Sequence, residues 1–478
     1  MIPTYSRIPE KPHAIKEQLR LFAFNDSPPP SPEVLSRIQQ GLSKRERLAA
    51  LLKGEFEFHG EDSGYASHNL HPFAAKFPPQ LPRAFVRGLT SPGDLVLDPM
   101  MGSGTAIVEA LLEGRLGIGL DIDPLALRLS RVKTTPLNTD TLRDIGARVI
   151  SRAQILWSKA ATIERELARR FDNSTKAFID FWFLPTTQRE LMALVLAIQD
   201  VPDTSVRRFL ELTFSSIIVT KSGGVSRARD LAHSRPHLDK AKIPQNALEQ
   251  FSLRLRKNLA SIARVKTNGM MATPLAGDSR CMPFADGVVD LIVTSPPYAN
   301  AIDYMRAHKF SLVWFGESIT DLTRLRAEYI GSERAADTQS GTLPDRPETI
   351  IRQLAERDSK KAGIVRKYFS EMRSVLAEMY RVLRNDSAAI VVVGPSVMRG
   401  IDVQTHNCLA DIAAAQGFDV VGVVKRLLDR SKRMMPARFG KKTDSMIEQR
   451  IHEEYVIGLL KTNHLQGGRH ANSSADHH

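Results

Sequence analysis

Apolar and polar positions change texture several times along the chain. Residues 1–60 begin with a proline-rich stretch, Ser27-Pro28-Pro29-Pro30-Ser31-Pro32, which favours extended chain. Helical spacing of apolar positions then predicts one amphipathic helix from about Glu33 to Leu52. From Gly93 the pattern turns to short apolar runs bounded by glycine. Leu95-Val96-Leu97, a Gly-rich turn, a helix from about Thr105 to Glu113 and the run Leu116 to Leu120 make a strand-helix-strand unit with parallel strands. Four later runs, Val288 to Val293, Ala388 to Val393, Phe418 to Val424 and Glu454 to Leu460, read as buried strands. Helical segments such as Tyr368 to Leu383 and Asn407 to Gln416 separate them. The expected fold is α/β, a doubly wound Rossmann-like sheet interrupted after its second strand.

The interruption is different in kind. Thr141 to Phe171, Thr187 to Gln199, Ser205 to Val219 and Gln245 to Arg264 all show helical spacing, with Arg and Lys on their polar faces. The expected division is an N-terminal arm and helix (1–60), the first half of the sheet domain (61–138), a helical insertion (139–270), the second half (271–462) and a disordered tail (463–478).

Charge sharpens that division. The chain has 478 residues and a net charge of +13. Residues 1–138 carry +1 and 271–420 carry -2, whereas 139–270 carry +9 and 421–478 carry +5. A near-neutral frame thus bears a basic insertion and a basic C-terminal region, and the excess points to a polyanionic partner, most simply nucleic acid. At 42% hydrophobic and 25% charged residues the composition is globular, and no apolar run or leader predicts membrane insertion or secretion, so a cytoplasmic protein is expected. Two cysteines, Cys281 and Cys408, cannot build a disulfide framework or a zinc site, and no metal is expected.

Asp98-Pro99-Met100-Met101-Gly102-Ser103-Gly104-Thr105 lies between a strand and a helix. Its glycines let the backbone turn tightly and approach a ligand, while the helix that follows presents free N–H groups. Asp121 ends the next strand, where a carboxylate in this topology accepts ribose hydroxyls. The pattern implies a nucleoside-containing cofactor; a turn without any ligand is the bland alternative. A nicotinamide dinucleotide fits less well, since Ile107 stands where its third glycine would be. Asp278, at the end of Leu275-Ala276-Gly277-Asp278, is placed to accept an adenine amino group or, more plainly, to form a turn.

Thr294-Ser295-Pro296-Pro297-Tyr298 decides the chemistry, because it directly follows a buried strand at the edge where the cofactor should lie. Two prolines stiffen the backbone, so the Ser295 hydroxyl and the Pro296 carbonyl can present acceptors at fixed positions. Two acceptors on one exocyclic amino group grip both hydrogens and aim its lone pair at an electrophile. Tyr298 would stack on a base drawn out of the duplex. A rigid loop with a buried tyrosine is the structural alternative.

Together these two motifs resemble the S-adenosylmethionine-dependent DNA amino-methyltransferases that modify cytosine at N4 or adenine at N6. The resemblance implies S-adenosylmethionine as cofactor, held by Lys76, Asp98, Pro99, Met100, Gly102, Gly104, Thr105, Asp121, Ile122, Asp278 and Ser279, with Ser295, Pro296, Pro297 and Tyr298 as the catalytic loop. His71-Pro72-Phe73-Ala74-Ala75-Lys76-Phe77-Pro78 looks like the family segment near the methionine end of the cofactor. It covers about 68–135 and 275–460 and leaves out the insertion. Met100 departs from the usual Phe, and the order of the two motifs is not the commonest for cytosine enzymes. Ser295 in first place resembles the cytosine-N4 subgroup. Double-stranded DNA is the implied partner, with a cognate restriction endonuclease or a homodimer beside it, in the nucleoid of a bacterial or archaeal cell.

For DNA contact the insertion offers Lys221, Arg227, Arg229 and Arg235 in a glycine-containing loop, and the C-terminal region offers Arg433, Lys441 and Lys442. Tyr304 and His308, one helical turn apart after the catalytic loop, are placed either to border the base or to pack in the core. An RNA amino-methyltransferase, a nucleotide-dependent oxidoreductase and a non-catalytic nucleic-acid binder remain as rival readings.

Overall fold

A computed structural model describes residues 41–58, 60–73, 76–220, 224–229, 231, 236–263, 269–299, 303–332, 341–428 and 453–462, with a few positions between 16 and 24. Helices α1 (Lys44–Leu52) and α2 (Gln80–Leu89) precede β1 (Leu95–Asp98), α3 (Thr105–Leu112), β2 (Leu116–Asp121) and α4 (Pro124–Thr134). A run of helices follows: α5 (Thr139–Trp157), α6 (Ala160–Arg170), α7 (Asn173–Trp182), α8 (Pro185–Gln199) and α9 (Thr204–Ile218). A small ribbon of β3 (Ala228–Arg229) and β4 (His237–Leu238) then leads to α10 (Ala247–Ile262). The sheet resumes with β5 (Ala272–Ala276) and β6 (Val289–Thr294). Helices α11 (Met305–Leu312), α12 (Ile319–Glu328), α13 (Asp345–Arg357) and α14 (Ser359–Val382) lead to β7 (Leu383–Val393), a short hairpin of β8 (Val397–Met398) and β9 (Ile401–Asp402), α15 (Thr405–Ala415), β10 (Asp419–Leu427) and β11 (Glu453–Lys461).

Seven strands form one sheet in the order β10-β11-β7-β6-β1-β2-β5. The strands from β7 to β5 are mutually parallel, and β11 is antiparallel to both of its neighbours. Side chains alternate across the sheet because the strand period is two. Val96, Leu291, Val293, Ile390 and Val456 pack under α1, α2 and α3, while Leu97, Ile292, Val391 and Ile457 pack under α13, α14 and α15. Both faces are covered, which is why β6 is buried along its whole length and reads as an unbroken apolar run. Parallel strands beside β1 and β6 bring the carboxyl ends of β1, β2, β5 and β6 to one edge, where the two motifs meet.

Three points differ from the pattern expected. The helix expected over 33–52 starts at Lys44 instead, because Ser43 and Glu46 form a reciprocal capping box; residues 25–40 lie outside the described part. The edge strand β5 is not legible from residue pattern because Pro274 breaks its strand signal and its burial is only partial. The helices α5 to α10 also do not close a core of their own. Leu191, Phe209, Phe214 and Phe251 pack with Leu125 and Leu129 of α4 and with Phe310, Leu312 and Trp314 beyond the loop after β6. Among the described residues no helix is long and apolar enough to cross a membrane.

Candidate active site

A cavity with about 890 Å³ of open space lies at the carboxyl edge of β1, β2, β5 and β6. Asp98, Pro99, Met100, Gly102, Ser103 and Thr105 line it from the first turn, Asp121, Ile122 and Asp123 from the end of β2, and Gly277, Asp278 and Ser279 from the end of β5. Ser295 and Pro297 come from the loop after β6, with Phe73, Lys76 and Phe77 from the segment before α2.

The turn is held from behind. Gly102 and Gly104 have φ of 46° and 73°, in the left-handed region that glycine occupies without strain. A Cβ at Gly104 would come within 2.6 Å of Ser130 Oγ, so α4 approaches too closely for any other residue. Ser130 Oγ donates to the Gly102 carbonyl (3.2 Å) and the buried Lys133 ammonium to the Ser103 carbonyl (2.7 Å). These bonds fix the turn through its carbonyls from the side away from the cavity. Asp121 Oδ2 accepts the Gly102 N–H (2.7 Å) and Oδ1 the Asp123 N–H (2.8 Å), leaving each oxygen a further lone pair for a ligand.

Two adjacent carboxylates are driven apart. Burial and the nearby Asp123 push Asp121 up to about 7. Burial alone would raise Asp123 as well, but the His308 imidazole (Nδ1 to Oδ2, 2.6 Å) and the Leu125 N–H (2.7 Å) outweigh it and hold Asp123 below its usual value. Asp123 also caps α4, with Pro124 in the first helical position. Asp98 is pushed up to about 7 by burial although Thr294 Oγ1 donates to it at 2.7 Å, a bond that ties the cofactor turn to the catalytic loop. Lys76 is exposed as a residue, yet its ammonium turns inward to the His68 carbonyl (2.7 Å), and desolvation lowers it to about 8.

The loop after β6 is divided between two environments. Ser295 and Pro297 face the cavity. Tyr298 lies to one side: its ring rests on Gly394, where an added Cβ would fall 2.5 Å from the ring, and its hydroxyl donates to Glu454 Oε1 at 2.7 Å. Pro296 is buried behind the loop.

Known proteins bear on this arrangement. A family profile for DNA methylases acting on N6 and N4 amino groups matches residues 39–131, the stretch from α1 through the cofactor turn to α4. The type II methyltransferase M.MvaI of Kocuria varians is 23% identical over 370 residues, covering 72% of this chain and 80% of its own length. M.AvaI of Nostoc is 25% identical over 362 residues, covering 68% and 73%. M.BglI of Bacillus subtilis reaches 50% identity, over 56 residues that make up 12% of this chain and 16% of its own.

These likenesses support a DNA amino-methyltransferase.

The cofactor of this DNA methylase is S-adenosylmethionine, and the cavity suits it. The Tyr329 hydroxyl in its wall is buried near Asp123 without a well-formed hydrogen bond, so the wall offers a donor that a ligand would satisfy. Asp98, Asp121, Asp123, Asp278 and Glu328 give the lining an acidic cast that favours the cationic sulfonium and ammonium groups. Phe73, Met100, Ile122, Pro297 and Ile330 supply the apolar surface of the cavity. Phe73 and Phe77 come from the segment His71 to Pro78 expected near the methionine end of the cofactor, whereas Asp123, Glu328, Tyr329 and Ile330 were not among the expected residues; of these only Asp123 carried a local signal, the Asp-Pro pair of a helix cap.

Several expected roles change. Asp278 reaches the cavity, but its carboxylate is already gripped by Arg280, whose Nε and Nη2 donate to it at 2.7–3.0 Å, so it is not a free acceptor for an adenine amino group. His308 is not a base contact in this DNA methylase. It is 2% exposed, bonded to Asp123 and packed 5.2 Å from the Phe73 ring, so it acts as a strut under the cavity wall. Tyr304 stacks on Phe73 (5.4 Å between centroids) and lines the cavity. Arg229 is exposed and ion-paired with Asp239 at 2.6 Å, and Arg227 is half-buried beside Trp182, whose carbonyl accepts its backbone N–H (2.8 Å). Lys221, Arg235, Arg433, Lys441 and Lys442 lie outside the described residues. Among those described, no group of three or more His, Cys, Asp or Glu residues could hold a metal ion.

Proposed function

We propose that this chain transfers a methyl group from S-adenosylmethionine to the N4 amino group of a cytosine drawn out of double-stranded DNA. The observation that carries the reading is the joining of Ser295 and Pro297 to one cavity with the Gly102 turn and Asp121. When bound, S-adenosylmethionine supplies an electrophilic methyl on its sulfonium sulfur. Asp121 accepts the ribose hydroxyls, Lys76 pairs with the carboxylate of the methionine end, and Met100, Ile122 and Pro297 enclose the adenine.

On the other side of the loop, the Ser295 hydroxyl and the Pro296 carbonyl accept the two amino hydrogens, and Tyr298 stacks on the base. Holding both hydrogens keeps the nitrogen lone pair directed at the methyl; the N–C bond would form as the S–C bond breaks and the surplus amino proton would pass to water, so the transfer needs no covalent enzyme intermediate. Catalysis is then positioning and exclusion of water. Cys281 is exposed and Cys408 is buried in the core, away from the cavity, so neither is set to attack a pyrimidine ring. Serine rather than aspartate or asparagine ahead of the two prolines favours cytosine. Arg227, Arg229 and the other insertion cations hold the DNA, and a cognate restriction endonuclease is the partner such a modification protects against.

The test is modification-detecting sequencing of DNA from cells that express the chain. N4-methylcytosine at a fixed sequence supports the reading. N6-methyladenine would keep the enzyme class and change the base, and unmodified DNA would overturn it.

A further inference from the structure

Glu454 and Arg426 are a buried ion pair that the proposed chemistry leaves without a task. They are 9% and 4% exposed and sit opposite each other in the register of β10 and β11. Arg426 Nε and Nη2 donate to Glu454 Oε2 at 2.8 and 2.6 Å, and Arg426 Nη1 donates to the Phe56 carbonyl at 3.2 Å. Burying such a pair is costly, and apolar residues of similar volume often serve a core as well or better. The second carboxylate oxygen shows what the pair adds here: Oε1 accepts the Tyr298 hydroxyl at 2.7 Å.

We propose that Glu454, fixed by Arg426, is a positioning residue that sets the plane of the Tyr298 ring before the target base arrives. This rests on the reading of Tyr298 as the surface on which that base stacks. Two contacts on different strands are needed to fix a ring, one under its face and one at its tip. Gly394, the residue after β7, supplies the first because it has no side chain to lift the ring. Tyr455 of β11 pairs with Val393 of β7, so Glu454 stands beside Gly394 and supplies the second. Burial and the nearby Glu454 carboxylate hold the Tyr298 phenol far above its usual pKa, so it stays a donor throughout the working pH range. A freely rotating tyrosine would have to be ordered on each encounter, at a cost in rate.

The test is a double-mutant cycle on methyl transfer, with melting temperature and S-adenosylmethionine affinity measured alongside. Tyr298→Phe keeps the ring and removes the bond, and it should lower kcat about tenfold with cofactor Kd unchanged. Replacing the pair together, Glu454→Leu with Arg426→Met, should cost a similar factor in the parent and under about twofold in the Tyr298→Phe background. Gly394→Ala, which lifts the ring without touching the ion pair, should lower kcat with the same unchanged Kd. Full kcat in Tyr298→Phe overturns the inference, as does an equal loss from the paired replacement in both backgrounds. If the paired replacement fails to fold, the Tyr298→Phe and Gly394→Ala results decide alone. A parent chain that methylates no DNA overturns the functional reading itself, so the two failures are distinguishable.

Discussion

The sheet and the helical body that packs beside it carry charge in opposite ways. Residues 139–270 hold +9 and 1–138 only +1. Yet among the described residues most of the strongly shifted ionisable groups sit in the nearly neutral part. Asp98 and Asp121 are pushed up to about 7, Lys76 is lowered to about 8, and burial holds the Lys133 ammonium well below its usual value. In the helical body, cations such as Arg143, Arg169 and Arg229 stand largely in water. A count of charges reports the long-range field that gathers a polyanion. Burial, which the count does not see, reports where chemistry can be done.

That contrast can be broken at several points. The largest effect is expected in the catalytic loop: Ser295→Ala and Tyr298→Ala should each lower methyl transfer at least a hundredfold, about the cost of losing one precisely placed group. Titration calorimetry should find cofactor binding nearly unchanged in both, and full activity in both variants would sink the mechanism.

Next in size, Asp121→Ala should weaken cofactor binding by about 1.5–3 kcal/mol, as for a lost hydrogen bond to a charged group. The same residue sets a pH dependence. Its folded pKa is raised, so the empty site is protonated below about pH 7, whereas a ribose hydroxyl requires the carboxylate as acceptor. Cofactor affinity should therefore fall as pH drops from 7 to 5, by up to about tenfold per unit, and binding at pH 6 should release protons. Stability of the empty protein runs the other way. The raised group favours the fold at acid pH, and that contribution is lost as pH rises through 7. Asp121→Asn should flatten the affinity profile and remove only its own share of the stability profile, since Asp98 is raised to about 7 as well, and an unaltered affinity profile in that variant would remove the assignment.

The helical body should respond to salt instead of pH. Replacing Arg227 and Arg229 with Ala should reduce the slope of log affinity against log salt by up to about 0.9 for each phosphate that is no longer neutralised. Arg229 already pairs with Asp239, so its share should be the smaller. An unchanged slope in the double variant would separate this body from DNA binding. The smallest effect on DNA is expected from His308→Asn, which should lower stability by about 1–3 kcal/mol through Asp123 and leave the salt slope alone. A change in slope there would restore His308 as a DNA contact.

What is legible in the chain follows from where its chemistry is written. The cofactor turn and Thr294 to Tyr298 are contiguous, each follows a buried strand, and glycines or prolines fix their backbones, so residue order alone carries the pattern. The α/β sheet is readable for a related reason, since strands buried on both faces leave unbroken apolar runs. Tyr329 and Ile330 enter the same cavity from a segment more than 200 residues beyond Phe73, and nothing local marks them. The role of His308 turns on one distance, 2.6 Å to Asp123, that no spacing rule contains. Asp278 is legible as a strand-end residue at the cavity but not as an occupied acceptor, because Arg280 two positions on folds back over it.

The shared core of the helical body has a consequence for engineering and for descent. Phe310, Leu312 and Trp314 lie beyond the catalytic loop but fill the space between α8, α9 and the aromatic residues near α7. Transplanting 139–262 into a relative would therefore leave the graft hollow on one side and the donor's stump exposed. An exchange of the helical body between such enzymes would have to carry two separate stretches of chain, the helices and the segment from 305 to 328, as a single heritable cassette split by the sheet.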